Sequence, residues 1–404
     1  MEVKVIHVTH DIYGSLSDEN IIENAKALAG REAGICYMAD NYFSEKIKDN
    51  EAAIRRANMI IKSGHHSPFD HFNIGLEITG IPKIIAMTLN SVEMYTTSEK
   101  SARYTFMHAN SDIEQSIYEF WTDKFKEIIN SKYPSIEGKD LEKLAIENSR
   151  YMLSVFTPTS MGFTASFRQL SYMRGWLEDL YNKLGENKTE FNTKLMTYIA
   201  ELRAKLHEIV GDELKDNKNR GFKFFYKQLN DAEYSGKQYI GDVYSIDYYC
   251  SLACLAHLIR HRTIDYMMDF DGTEDFQCYI PPIIRDDGDM VELWKTDFNS
   301  VKKFFPQCTL VHTIEQGITT RFIDKCAERL CGRAQIEIAK SSEYWIKKFI
   351  ENKDNMSEYT KKYLDKHTKF VNGVQMPCTK CSMEGIKCTE ACRWGAQNGL
   401  TRLI

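Results

Sequence analysis

Arginine residues occur at three places in this sequence with neighbours that could hold an anion. The segment Ser98–Tyr104 (SEKSARY) combines hydroxyl groups with Arg103, and the triplet RHR (260–262) follows an apolar stretch. Arg329 and Arg333 stand four residues apart, which predicts that they share one face of a helix. Arginine gives bidentate contacts to phosphate, so these patterns could bind a phosphorylated substrate. Taken singly, each is also typical of a solvated surface.

A fourth polar segment, Gly64–His71 (GHHSPFDH), holds three histidines and one aspartate in eight residues. Such residues could ligate a metal ion, but their irregular spacing around a Ser-Pro turn does not match ligand pairs on a helix or a zinc finger. Turn chemistry, with His65 and His71 satisfied locally, is the simpler interpretation of this segment alone.

The C-terminal part of the chain contains a cluster of cysteines. Four thiols lie within fifteen residues of one another at spacings that fit a tetrahedral zinc site, namely Cys378, Cys381, Cys388 and Cys392. An iron–sulfur cluster, free thiols and disulfides remain as alternatives. The other seven of the eleven cysteines are scattered, which favours a reducing, cytoplasmic compartment.

Composition limits the elements that can position these residues. The 404 residues are 43% hydrophobic and 27% charged, with a formal net charge of −5, so we expect a folded protein with a substantial core. No apolar run approaches the roughly 18 residues of a membrane helix. The mildly acidic net charge of the chain does not favour binding of bulk nucleic acid. Only 8 prolines, against 22 tyrosines and 21 phenylalanines, indicate long helices and a helix-rich α+β fold.

Hydrophobic periodicity predicts a similar order of elements twice along the chain. A strand alternation at Ile74–Ile78 precedes a helix, and a second alternation at Tyr244–Tyr248 precedes the helical segment SLACLAHLIRHR. A predicted helix ends in VFTP (155–158) in one half and in KFFP (303–306) in the other, and we expect another long helix after each. The polar segment NKNR (217–220) is the best candidate boundary, so an internal duplication is predicted.

Read in order, the motifs resemble those of the flavin-dependent thymidylate synthases, the ThyX-type family. That family carries G-H-x-[ST]-x-x-[ED]-H, then R-H-R followed by S-x-R-Y, and finally L-R-x(4)-A-Q-x-E-I. GHHSPFDH matches the first pattern, and ERLCGRAQIEI resembles the last with its leucine and arginine exchanged. The resemblance covers most of residues 1–350 and leaves out the cysteine tail.

The chain departs from the family pattern because it is about twice as long and separates R-H-R from S-x-R-Y. In the first half the R-H-R position reads Ser91-Val92-Glu93, although SEKSARY follows; in the second half R-H-R is intact but no S-x-R-Y follows. In the family, each active site lies between subunits of a homotetramer. The resemblance therefore implies one composite site per chain and a homodimer that forms a pseudo-tetramer. The predicted domains are a first ThyX-like repeat (1–215), a second repeat (216–365) and a small zinc-binding knob (366–404).

The resemblance also implies a reaction and a set of site residues. The chain would methylate C5 of dUMP with methylenetetrahydrofolate and reduced FAD, with NADPH as reductant and zinc for structure. The implied catalytic residues are Arg103, Arg260 and Arg329. The implied substrate-binding residues are Glu99, Ser101, Arg103, Tyr104, His257, Lys302 and Arg329. The implied cofactor-binding residues are His65, Ser67, Asp70, Arg260, His261, Arg262, Asp324 and Arg333.

Several substitutions leave the reaction open. The family's asparagine and arginine at the start of the last helix become Ile318 and Thr320, a phosphate-binding arginine becomes Lys302, and a glutamine becomes His257. A related flavin- and folate-dependent enzyme that methylates or hydroxymethylates dUMP or dCMP is therefore an alternative. A catalytically silent, zinc-containing nucleic-acid-binding protein is another, although each arginine motif is retained in at least one half.

Overall fold

The computed structural model describes residues 1–10, 20–35, 49–216, 221–229, 236–386, 388 and 392–404. The predicted boundary NKNR (217–220) lies outside these residues. The helices are α1 (Ile21–Gly34), α2 (Asn50–Lys62), α3 (Lys83–Asn90), α4 (Asp112–Lys132), α5 (Gly138–Ser149), α6 (Phe167–Glu186), α7 (Glu190–Val210), α8 (Tyr226–Leu229), α9 (Leu252–Leu258), α10 (Gly288–Val301), α11 (Thr319–Arg329), α12 (Ile336–Glu351), α13 (Glu358–Lys366) and α14 (Gly395–Asn398). The strands are β1 (Glu2–Val8), β2 (Asn73–Pro82), β3 (Thr96–Glu99), β4 (Pro158–Ser166), β5 (Tyr239–Ile240), β6 (Val243–Ser251), β7 (Asp265–Asp269), β8 (Leu310–Ile318), β9 (Thr368–Val371) and β10 (Val374–Pro377).

The chain forms two compact units whose bounds differ from the predicted domains. The first unit contains Met1–Lys100 and Pro158–Lys223, and the second contains Ser101–Thr157 and Phe224–Ile404. The reason is packing: α4 and α5 belong to the core of the second unit, where the Trp121 ring lies 4.7 Å from that of Trp294. The unit boundary at Lys100/Ser101 also divides the SEKSARY segment.

The first unit is built on an antiparallel sheet with strand order β1-β2-β4-β3. The alternation predicted around Ile74–Ile78 is confirmed, since its apolar members are fully buried and Leu76 pairs with Phe163 of β4. Ser166 caps α6 by accepting a hydrogen bond from the backbone N–H of Gln169 at 3.1 Å, which fixes where strand gives way to helix.

The second unit carries a sheet of the same kind, with strand order β5-β6-β8-β7. The strand predicted at Tyr244–Tyr248 is confirmed, and Ser251 caps the helix α9 that follows it. Helices follow VFTP and KFFP as expected, namely α6 and α11, but a strand precedes each of them, β4 in the first unit and β8 in the second. Both are central strands of their sheets, and hydrophobic periodicity did not predict either of them.

The equal strand order of the two sheets is the topology that a duplication predicts. In the second unit the two corresponding segments, VFTP and KFFP, pair antiparallel with each other: the Val155 N–H donates to the Phe305 carbonyl at 2.9 Å, and the Gln307 N–H donates to the Leu153 carbonyl at 2.7 Å. The duplication itself stays a prediction.

The predicted knob at 366–404 is part of the second unit and not a separate domain. It contains α14 and the hairpin β9–β10, which turns at Asn372-Gly373 with both residues at positive φ. Ile404 is buried in the same core as Trp121 and Trp294. Across the described part of the chain, none of the helices has the length and apolarity that crossing a membrane requires.

Candidate functional site

The second unit holds a pocket beside Arg103. The guanidinium of Arg103 donates to both oxygens of Glu147, at 2.9 Å from Nε and 3.1 Å from Nη2, and to the carbonyl of Arg333 at 2.8 Å. Burial opposes the charge of Arg103, but the adjacent Glu147 carboxylate outweighs it and holds the arginine pKa above its ordinary value. The position of the Arg103 side chain is therefore set by α5 and by the loop after α11.

The pocket walls are predominantly cationic. Its charged lining consists of four cations and two carboxylates, which leaves a net charge of +2: Arg103, Lys143, Arg333, Arg393, Asp140 and Glu147. A concave surface with excess positive charge attracts phosphate-bearing ligands. The Tyr104 ring also lies here, 5.2 Å from the Arg103 guanidinium carbon and 5.7 Å from Lys143 Nζ.

Arg329 and His261 form a second pair in the same unit. Arg329 Nε donates to His261 Nε2 at 2.8 Å. Burial and the neighbouring charge of Arg103 lower the pKa of Arg329. Burial, followed by the charges of Arg329 and Lys325, lowers the pKa of His261 to about 2, so the imidazole is a neutral acceptor at physiological pH.

This pair predicts a specific pH dependence of stability. The folded pKa of His261 lies below its ordinary value of 6.5, so the unfolded chain binds the extra proton and stability is lost as pH falls from about 6.5. The slope contributed is at most about 1.4 kcal/mol per pH unit. The variant His261→Gln keeps a hydrogen-bond acceptor that does not titrate. We therefore expect it to flatten the dependence of the free energy of unfolding on pH, measured by urea unfolding between pH 7 and pH 5. Parallel slopes in wild type and variant would contradict it.

A buried hydrogen-bond network supports the floor of the pocket. Glu337, at the start of α12, accepts from the backbone N–H of Ser251 at 2.8 Å, from the Ser251 hydroxyl and from the Tyr151 hydroxyl at 2.7 Å. Tyr151 lines the pocket and also receives the side-chain N–H of Gln335. Glu337 therefore ties the N-terminus of α9 to the pocket.

The helix on which Arg329 and Arg333 were expected to share one face is interrupted. α11 ends at Arg329 and α12 begins at Ile336, so Arg329 and Arg333 do not share a helical face. Between the two helices, residues 332–335 line the pocket, and the C-terminal tail comes so close that a Cβ on Gly332 would lie 2.7 Å from Cys392 Sγ. Tertiary packing overrides the helical periodicity at this point.

Other predicted substrate residues make different contacts. Lys302 lies beside a second cavity, where its Nζ pairs with Asp275 and lies 4.8 Å from the Phe276 ring. Glu99 pairs with Lys83 at 2.7 Å in the first unit. Ser101 accepts the Arg103 N–H at 3.3 Å, which shapes the turn that carries the arginine. His257 is half-buried in the last turn of α9.

The predicted cofactor residues are divided between the units. Arg260, half-buried, and Arg262, exposed, flank His261 in the turn after α9. Asp324 accepts from the Tyr363 hydroxyl and so contributes to the packing of α13 on α11. Arg333 lies in the loop that lines the pocket.

In the first unit, the GHHSPFDH segment forms a 3-10 turn over Ser67–Asp70. Asp70 accepts from the Ser166 hydroxyl at 2.8 Å and from Arg168 Nε at 2.9 Å, so it holds the start of α6. His66 bonds the Tyr172 hydroxyl at 2.7 Å, whereas His65, Ser67 and His71 are exposed. The 3-10 turn agrees with the turn interpretation of this segment, but the contacts of Asp70 and His66 reach across to β4 and α6, and they do not involve His65 or His71.

The predicted zinc site receives no support. Among the described residues, no three His, Cys, Asp or Glu side chains are grouped so that they could hold a metal ion. Cys378 is buried and directs its thiol to the His367 carbonyl, Cys381 and Cys388 are exposed, and Cys392 lies against Gly332. The spacing of the four cysteines in the sequence did not show that the tail packs against the pocket.

Sequence reasoning missed several residues of this site. Glu147, Lys143 and Tyr151 come from α5 and the turn after it, and Arg150 is buried beside them with Nε donating to the Glu147 carbonyl at 3.1 Å. The signal was available in the sequence, since ENSRY (147–151) places two charged residues on a predicted amphipathic helix. Charged side chains that are buried there require partners.

The fold and the site together define a helix-rich α+β protein with a cationic pocket in its second unit. The model of the family described as thymidylate synthase complementing protein matches residues 16–175. A flavin-dependent thymidylate synthase of Clostridium tetani is 23% identical over 176 residues, which cover 38% of this chain and 66% of that protein. The match thus spans just under two thirds of that relative.

Solved structures of two kinds are also similar to the chain. ThyX from Helicobacter pylori with FAD and dUMP is 15% identical, with coverage of 53% of this chain and 95% of that one and a TM-score of 0.31. The UMP/dUMP methylase PolB from Streptomyces cacaoi with 5-Br dUMP is 13% identical, with coverage of 43% and 75% and a TM-score of 0.27. Over residues 16–175 the chain is thus similar in sequence to the ThyX-type family of flavin-dependent thymidylate synthases.

Proposed function

We propose that the chain is a flavin-dependent nucleotide methyltransferase of the thymidylate synthase type, which transfers a one-carbon unit from methylenetetrahydrofolate to C5 of dUMP. One observation carries the proposal. Arg103 of the S-x-R-Y segment and Arg333 of the C-terminal motif line one cationic pocket, and Arg329 with His261 lies in the same unit. The motifs that the sequence separates by more than 150 residues are thus brought into one unit of one chain.

In this proposal the pocket binds the nucleotide through its phosphate and one edge of the base. Arg103 and Arg333 supply charge-assisted donors, and Arg103 is already fixed by Glu147, so little side-chain freedom is lost on binding. Cationic donors near the pyrimidine also stabilise negative charge that develops on the ring as C5 becomes nucleophilic. Neutral His261 holds Arg329 in place without adding a competing charge.

The residues of the R-H-R turn suit the anionic part of FAD. Arg260 and Arg262 provide two cations directly after α9, while His261 faces Arg329. Asp70 and Asp324 fit less well, because both accept hydrogen bonds from side chains of this chain. When bound, the flavin would supply the hydride that completes the methyl group, with NADPH as its reductant. The protein would hold and align the rings and exclude water.

The substitutions at two substrate positions favour keeping a second candidate. Position 302 is a lysine that pairs with Asp275 beside another cavity, and position 257 is a histidine on a buried helix. Different contacts to the base could admit dCMP, or could end the reaction at a hydroxymethyl group. We therefore also propose, as the alternative, a methylase or hydroxymethylase of dUMP or dCMP.

The test is a product assay on the purified chain. With added FAD, we expect the protein-bound fraction to show a flavin absorbance at about 450 nm, with roughly one flavin per chain. With NADPH, ¹⁴C-labelled methylenetetrahydrofolate and dUMP, we expect the label to appear in dTMP. Label in a hydroxymethyl nucleotide, or only with dCMP, would select the alternative. A protein that binds no added FAD and labels neither nucleotide would contradict the proposal.

A further inference from the structure

The C-terminal tail forms one wall of the arginine pocket. Cys392, Arg393, Trp394 and Ile404 line it together with Arg103 and Arg333. The family model matches only residues 16–175, so this wall comes from a part of the chain that the family pattern leaves out. The tail therefore lies at the pocket, although it is outside the residues that the family model matches.

The wall is held by specific contacts. Arg402 Nη2 donates to the Ala334 carbonyl at 2.6 Å, and the Leu403 N–H donates to the Tyr133 hydroxyl at 3.2 Å. Lys340 donates to the Leu400 carbonyl, and the Ile404 side chain is buried in the core of the unit. Breaking these contacts would expose apolar surface and leave buried polar groups without partners, so residues 400–404 anchor the tail.

Trp394 lies close to the backbone that receives Arg103. A Cβ on Gly332 would be 3.0 Å from Trp394 Cδ1, so only glycine allows this approach of the indole. The carbonyl of Arg333, the next residue, accepts a hydrogen bond from the Arg103 guanidinium. The Tyr133 ring packs edge-on against the indole at 5.2 Å and orients it.

The free volume of the pocket is small, and exposed contacts hold the edge that the tail forms. The volume is about 140 Å³, whereas small-molecule sites usually span roughly 300–1,000 Å³. Arg393 holds this edge closed through Asp140 and the Ser135 carbonyl, and both side chains of the ion pair are exposed. Exposed ion pairs stabilise a contact by about 1 kcal/mol or less, so the edge can open while residues 400–404 stay anchored.

We propose that Trp394 is a base-binding residue whose indole packs on the pyrimidine ring of the bound nucleotide, while Arg103 and Arg333 bind its phosphate. This inference rests on the proposed function, because it takes the ligand to be a pyrimidine nucleotide. The indole and the cations line the same pocket, so one ligand can contact both groups. Base–aromatic stacking makes a large contribution to affinity, and it acts on the base alone.

The experiment compares two ligands that differ only in the base. Calorimetry is run with dUMP and with 2-deoxyribose 5-phosphate on the wild-type chain, Trp394→Ala, Trp394→Phe and the control Gln397→Ala, an exposed residue of the same tail. We expect Trp394→Ala to weaken dUMP binding by about tenfold or more and to leave 2-deoxyribose 5-phosphate within about twofold of wild type. Trp394→Phe should restore most of the dUMP affinity, and Gln397→Ala should change neither ligand.

The remaining outcomes each decide the question. Equal weakening of both ligands, or a Trp394→Phe variant as weak as Trp394→Ala, would show a structural role for the indole and overturn the inference. Unchanged dUMP affinity in Trp394→Ala would overturn it as well. If thermal unfolding shows that Trp394→Ala does not fold, Trp394→Phe is compared with Trp394→Leu. Weaker dUMP binding in the leucine variant alone, with 2-deoxyribose 5-phosphate unchanged, supports the inference. Equal dUMP affinities of the two variants overturn it. Wild-type protein that binds neither ligand would overturn the proposed function and this inference with it.

Discussion

Replacing Arg103 by alanine should weaken dUMP binding by about ten- to a hundredfold, because a charge-assisted contact to the phosphate is worth roughly 1.5–3 kcal/mol. The guanidinium is fixed by Glu147 and by the Arg333 carbonyl at the edge of the pocket, so no other side chain replaces it without rearrangement. Isothermal titration calorimetry measures the effect. Arg55→Ala, at an exposed arginine of α2, is the matched control and should bind as wild type.

Loss of Arg103 also leaves the Glu147 carboxylate without its partner, which could lower affinity through misfolding. The double variant Arg103→Ala/Glu147→Gln removes that charge and separates the two effects. If dUMP affinity in the double variant returns to the wild-type value, the arginine does not bind the phosphate. Arg329→Ala combined with Arg103→Ala should be non-additive, since the proposal gives both residues one ligand and one nucleotide per chain.

Replacing Glu337 by alanine should lower the free energy of unfolding of the second unit by about 3 kcal/mol or more, since three buried donors lose their acceptor at once. Those donors are the N–H and hydroxyl of Ser251 and the hydroxyl of Tyr151. Because Tyr151 lines the pocket, nucleotide affinity should fall together with stability. Urea unfolding followed by near-ultraviolet circular dichroism measures the change, as Tyr151 and Trp294 belong to the core of this unit.

Two further variants of the same helix test the reason for this effect. Glu337→Gln keeps the size of the side chain and one acceptor oxygen, so it should cost less than the alanine variant. Glu351→Ala removes an exposed glutamate of α12 that pairs only at the surface with Lys348, and it should leave stability within about 0.5 kcal/mol. A Glu337→Ala variant as stable as Glu351→Ala would mean that the network does not hold the pocket floor.

Local sequence determined most of the regular elements. The strands at Ile74–Ile78 and Tyr244–Tyr248 and the long helices α4, α6 and α7 follow from periodicities that one segment expresses by itself. The resemblance to the ThyX-type family also came from the sequence, because GHHSPFDH, SEKSARY, R-H-R and ERLCGRAQIEI stand in a fixed order, and the family model that matches residues 16–175 supports it for the first two motifs. Motifs are local, so their recognition does not require the fold.

Tertiary structure alone decided which segments meet. The assignment of α4 and α5 to the second unit depends on long-range packing between residues such as Trp121 and Trp294, which no local pattern encodes. The same holds for the break between Arg329 and Ile336, where a close approach of the tail to Gly332 outweighs helical periodicity. The cysteine spacing predicted a separate zinc-binding knob, whereas burial of Ile404 and the contacts of Arg402 hold the tail against the pocket. The sequence thus determined the chemical groups, and the free energy of burying apolar surface determined their neighbours.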